Sequence, residues 1–136
     1  MRVKKGYATR RSKIAVEDAA AYVRDLAQRL EARGRLGATR SFIQHGDVSV
    51  YDHVLAVAKT SICMARVLSR VGIAVDVHAL VRGALLHDYF LYDWHDSDPS
   101  HRLHGFKHPF FALERAEEDF DLTPIERNII ARHMFP

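Results

Sequence analysis

Cysteine is nearly absent from this 136-residue chain: Cys63 stands alone, so no intramolecular disulfide can form. It falls on the pattern of a buried helix, where a free thiol acts as a small hydrophobe. A reducing cytoplasm is therefore the expected compartment. No apolar run approaches the roughly 20 residues needed to cross a bilayer. The opening Met1-Arg2-Val3-Lys4-Lys5 leads into no apolar signal core, so neither a membrane span nor a secretory signal is expected. Internal repeats, low-complexity stretches and proline-rich linkers are also missing, and no segment alternates in the manner of a strand. What remains has 48% hydrophobic and 27% charged residues, which suits one soluble domain with a real core.

Acidic residues are missing from one place in particular. Residues 1–13 carry Arg2, Lys4, Lys5, Arg10, Arg11 and Lys13 with no counter-charge, so the formal +3 hides a net acidic remainder. This arm is expected to be solvated and disordered, with residues 14–136 forming the domain. It does not by itself point to nucleic acid as a partner.

The remainder reads as helices. Val16 to Ala32 places Ala20, Val23, Leu26 and Leu30 at helical spacing before Gly34 and Gly37. Ser41 to His45 is expected as a short helical turn, broken by Gly46-Asp47. Val50 to Val71 carries an apolar face of Val54, Val57, Ala58, Ile62, Ala65 and Leu68, ended by Gly72. Asp76 caps a third helix that runs to His87-Asp88, and its Gly83-Ala84 would admit a close neighbour. Tyr89 to Trp94 is aromatic and reads as core, and Asp96 to Lys107 as a polar loop. Pro109 opens a fourth helix to about Phe120, with Phe110 and Phe111 in the core. Thr123-Pro124 opens a fifth, with Glu126 in its first turn and Ile125, Ile129 and Ile130 on its buried face. The fold expected is all-α.

Histidine is abundant, with nine residues dispersed through the chain and most of them after His78. Histidine is the commonest metal ligand. His87 and Asp88 are adjacent, so on a helix they point about 100° apart and cannot chelate an ion as an i, i+4 pair would. A site built on them draws further ligands from other helices. His53, His108 and His133 stand at the ends of otherwise apolar helices, where a site between helices opens. Histidine with carboxylate suits iron, manganese, zinc, cobalt or nickel. One or two such ions lower the pKa of bound water and stabilise charge on a phosphoryl oxygen.

The run Arg82-Gly-Ala-Leu-Leu-His-Asp88, preceded by His53-Val-Leu-Ala-Val-Ala58, resembles the HD superfamily of metal-dependent phosphohydrolases. More narrowly, three stretches resemble a small bacterial HD-domain subfamily: Leu86 to His95, Leu103-His-Gly-Phe-Lys-His-Pro109, and Ile129 to Pro136. The resemblance covers about Ser41 to Pro136. It implies His53 as first ligand, His87 and Asp88 as the signature pair at the catalytic centre, and Asp88 as bridge if two ions bind. His108 and His133 match the extra histidines of members that hold a second ion. The implied fold is a bundle of five to six helices. The superfamily closes its ligand set with an aspartate on a later helix, which has no counterpart before Pro136, so that last helix is expected to be missing. Leu91 stands where many enzymatic members carry lysine.

The expected activity is hydrolysis of a small phosphate ester or nucleotide. His104 and Lys107, just before His108, are candidates to hold phosphate or protonate a leaving group, and His45 to line the pocket. His95, His101 and Asp93 are weaker candidates. Two other readings stay open: a catalytically impaired module that binds nucleotide or metal, and an interaction protein that pairs as a homodimer.

Overall fold

The computed structural model describes residues 16–92 and 104–134, with side chains from 18 and from 107. The basic arm, Asp93 to Leu103 and the last two residues lie outside this range. The described chain is an all-α bundle with one small hairpin. The helices are α1 (Val16–Arg33), α2 (Val50–Arg70), α3 (Val77–Leu86), α4 (His104–Asp119) and α5 (Pro124–Arg132). A 3-10 turn at Leu36–Ser41 and strands β1 (Ile43–His45) and β2 (Val48–Ser49) join α1 to α2.

The hairpin corrects two expectations. Ser41 closes the 3-10 turn but Phe42 to His45 is not helical, and strands exist. They pair antiparallel, Ile43 with Ser49 and His45 with Val48, around Gly46 at φ 59°. That left-handed turn position favours glycine. Ser49 then caps α2 by accepting from the Asp52 amide, which starts the helix four residues before His53.

Helix α3 is the centre of the bundle. From Gly83 to Phe90 every residue is buried. It packs chiefly on α2 and α5. The Asp76 cap and the Thr123–Glu126 capping box both form as the sequence implies. Gly83 brings α5 in close: a Cβ at this position would lie 2.8–2.9 Å from Ile129 carbons, including Ile129 Cβ. Gly83→Ala therefore forces a backbone shift rather than a rotamer change. It is expected to destabilise the fold by about 1–3 kcal/mol of overpacking, exceeding the ~1 kcal/mol that alanine contributes to a helix. Urea denaturation reads this directly; a neutral or stabilised variant would show that α5 yields.

Behind the α3 exit, Tyr89 is fully buried and its hydroxyl donates to Asp119 Oδ2 at 2.6 Å. Arg35 grips the same carboxylate with two nitrogens, at 2.8 and 3.1 Å. This ties the end of α1 to the end of α4 and fixes the chain directly after Asp88. Two residues on, Leu91 takes φ 59°, a left-handed conformation that costs a leucine roughly 1–2 kcal/mol. The turn is held by the packing of Phe90 and Leu91 against the core.

Other departures concern faces. Cys63 is exposed, not buried. Phe110 and Ile125 are 67% and 49% exposed, so neither belongs to the core. Helix α4 begins at His104, ahead of Pro109, so His104 and Lys107 are helical rather than in a loop. No described helix is long and apolar enough to cross a membrane.

Candidate metal centre

Four elements deliver one cluster. His53 comes from the first turn of α2. His87 is the C-cap of α3, and Asp88 follows it. His108 comes from the second turn of α4, and His133 is the C-cap of α5. The helix ends meet because α3 and α5 run side by side at the Gly83–Ile129 contact, so their C-termini arrive together.

The Asp88 carboxylate is the hub. Its Oδ2 lies 3.4 Å from His53 Nε2 and 3.3 Å from His87 Nε2. Its Oδ1 lies 3.4 Å from His108 Nε2 and 3.5 Å from His133 Nε2. Each oxygen thus faces two imidazole nitrogens. The donor atoms form two groups that share Asp88: His53, His87, Asp88 and Asp88, His108, His133.

The imidazoles are held from behind in the same way. His87 Nδ1 lies 2.6 Å from the Ala84 carbonyl, and His133 Nδ1 lies 2.8 Å from the Ile130 carbonyl. A carbonyl only accepts, so each Nδ1 carries a proton and each Nε2 is the nitrogen turned to the cluster: it donates to Asp88 when it holds a proton, and offers a lone pair to an ion once that proton has left. Such outer contacts fix tautomer and ring direction for a metal ligand. His108 Nε2 and His133 Nε2 stand 2.7 Å apart. Two lone pairs cannot face each other at that distance, so a proton sits between them when no ion does.

Electrostatics follow from burial and this crowd of nitrogens. Asp88 is 3% exposed. Burial alone would raise its pKa, but hydrogen bonds from His108, His133 and His87 outweigh it and hold the carboxyl far below the usual range. His53, nearer solvent, is shifted down, since burial outweighs the attraction of Asp88. His87 goes the other way: burial pulls it down, but its bond to Asp88 prevails. The carboxylate is therefore held in its charged form, and among the described residues it is the one carboxylate in the donor groups.

The remaining candidates are placed more loosely. His45, exposed at the end of β1, lies close enough to His53 to disfavour its charging, so the hairpin stands beside the cluster. Lys107 is exposed on α4, one residue before His108. His104 lies in the first turn of α4, with its side chain outside the described residues, as are Asp93, His95 and His101 entirely.

Sequence reasoning missed one pair that supports the centre. Arg82 Nη1 reaches Glu126 Oε2 at 2.7 Å, with the two side chains 17% and 1% exposed. The same nitrogen donates to the Asp121 carbonyl at 3.0 Å. Glu126 had a sufficient explanation as a helix cap, which concealed its second role. The signal was an arginine within the apolar run Ala79 to Leu86 of α3.

No protein-family model, curated protein or solved structure matches this chain.

Proposed function

We propose that the chain is a metal-dependent phosphohydrolase of the HD class, acting on a small phosphate ester or nucleotide. One observation carries the reading: a buried carboxylate with each oxygen turned to two imidazole nitrogens. The donor set fits borderline first-row ions such as iron, manganese, zinc, cobalt or nickel. His53 and His87 would hold one ion, His108 and His133 a second, with Asp88 contributing to both. What the metal supplies when bound is Lewis acidity, which activates water for attack at phosphorus and stabilises the charge on phosphoryl oxygens. The chain's own residues do the rest. The Ala84 and Ile130 carbonyls fix the imidazole tautomers. The buried Phe90 ring, its centroid 6.0 Å from that of His108, backs one side of the cluster. His45 and Lys107, both exposed, would meet the phosphate or the leaving group.

A second reading has its own support. Asp88 is the one carboxylate in the donor groups found among the described residues. Leu91 also occupies, in a left-handed turn, the position where lysine stands in many enzymes of this class. A module that binds metal or nucleotide without turnover would need neither. The test is untagged protein loaded separately with each of the five metals. It is assayed against p-nitrophenyl phosphate, bis-p-nitrophenyl phosphate and the nucleoside monophosphates. Turnover with at least one metal, lost in His108→Ala, is expected. Metal bound in stoichiometric amounts with no turnover for any metal would replace the enzyme with the module.

A further inference from the structure

We propose that a cleft between α1, the first half of α3 and the α4–α5 connection is a second ligand site, fitted to a nucleoside monophosphate. The cleft encloses about 480 Å³, within the 300–1,000 Å³ of ordinary small-molecule sites. It is distinct from the metal centre. His78, on its α3 wall, precedes His87 by nine residues, about 13 Å along the helix.

The floor is apolar, built by Leu26 and Leu30 of α1 and by Phe120 at the end of α4. Arg29 and Arg33 rise from the same face of α1, one and two turns along, and His78 faces them from α3. The charges in this lining are unequally committed. Asp119 is already held by Arg35 and Tyr89. Arg82 is already held by Glu126. Arg29 pairs with Asp25, but across exposed surface, where such a pair is worth little and yields easily. Among the described residues, Arg33 and His78 have no carboxylate in ion-pair reach, and the Asp121 side chain has no cation. The cleft therefore offers an uncommitted cationic edge and, across an apolar floor, one uncommitted acceptor. A phosphate suits Arg33, His78 and Arg29, with bidentate contact available to either guanidinium. The flat face of a nucleobase suits the floor. Ribose hydroxyls, which donate hydrogen bonds, suit Asp121.

The site does not depend on the metal reading, and the experiment separates them. Adenosine monophosphate is titrated calorimetrically into the full chain, into Arg33→Glu and into His87→Ala. Arg33 is exposed, so its replacement spares the core. One binding event is expected in the wild type and in His87→Ala, weakened roughly tenfold or more by Arg33→Glu, the scale of a lost charge-assisted contact. The imidazole resonance of His78 should move in the same titration. Binding that vanishes in His87→Ala but survives Arg33→Glu would place the nucleotide at the metal cluster alone and overturn the proposal. So would no binding at all, or inorganic phosphate binding as tightly as the nucleotide.

Discussion

On the proposed two-ion loading, Asp88→Asn is expected to strip both ions from the protein, while His53→Ala and His108→Ala each remove one. The carboxylate is the only group shared by the two donor sets, one oxygen to each. Asparagine keeps the shape but loses the charge, and it replaces one of the two acceptor oxygens by a donor. Two imidazoles alone then remain on each side. The loss in affinity should exceed the roughly 10–100-fold typical of removing an outer contact to a ligand. Elemental analysis of dialysed, untagged protein gives the answer directly. A single-ion site makes a different pattern: wild type with one equivalent, and at least one of the two histidine variants still fully loaded. Full metal in Asp88→Asn would reduce the carboxylate to a structural hydrogen-bond acceptor and remove the basis of the proposed activity. Loading should also release protons, because the one between His108 and His133 must leave before both nitrogens can bind an ion.

The cluster was legible because its members break a pattern. His53, His87-Asp88, His108 and His133 are polar interruptions at the ends of apolar helices, and helix ends are where separate elements converge. Local chemistry was equally readable: the Asp76 and Thr123 caps form as expected, and Gly83 does admit a neighbour. Other features lay beyond a reading of periodicity. Strands of two and three residues are too short to alternate, so the hairpin that sets His45 beside His53 passed for a helical turn. Pro109 looked like a first helical residue. It sits in the second turn instead, where it forgoes a single ladder bond. Cys63, Phe110 and Ile125 were expected on buried faces and are exposed instead, because spacing alone does not say whether a face has anything to pack against. That depends on where other elements end.

Arg82 and Glu126 give the sharpest test of how the centre is held. They join α3 to α5 five and seven residues before His87 and His133, so the pair fixes the relation between helices that each carry a ligand. The two single variants should be unequal. Arg82→Met leaves the Glu126 carboxylate 1% exposed with no cation; breaking a buried pair in this way costs about 3–5 kcal/mol. Glu126→Leu leaves an arginine that is 17% exposed and still bonded to the Asp121 carbonyl. Its guanidinium can turn to solvent, so the loss should be roughly 1–2 kcal/mol, close to the value of the helix cap removed with it. The double variant should recover most of the difference, since an apolar pair of similar volume replaces a buried ion pair at little cost. Urea denaturation of the four proteins at pH 7 resolves this. Equal single-variant losses would mean that the pair is incidental to the α3–α5 contact, and that Gly83 and Ile129 hold the two ligand-bearing helices in place by packing alone.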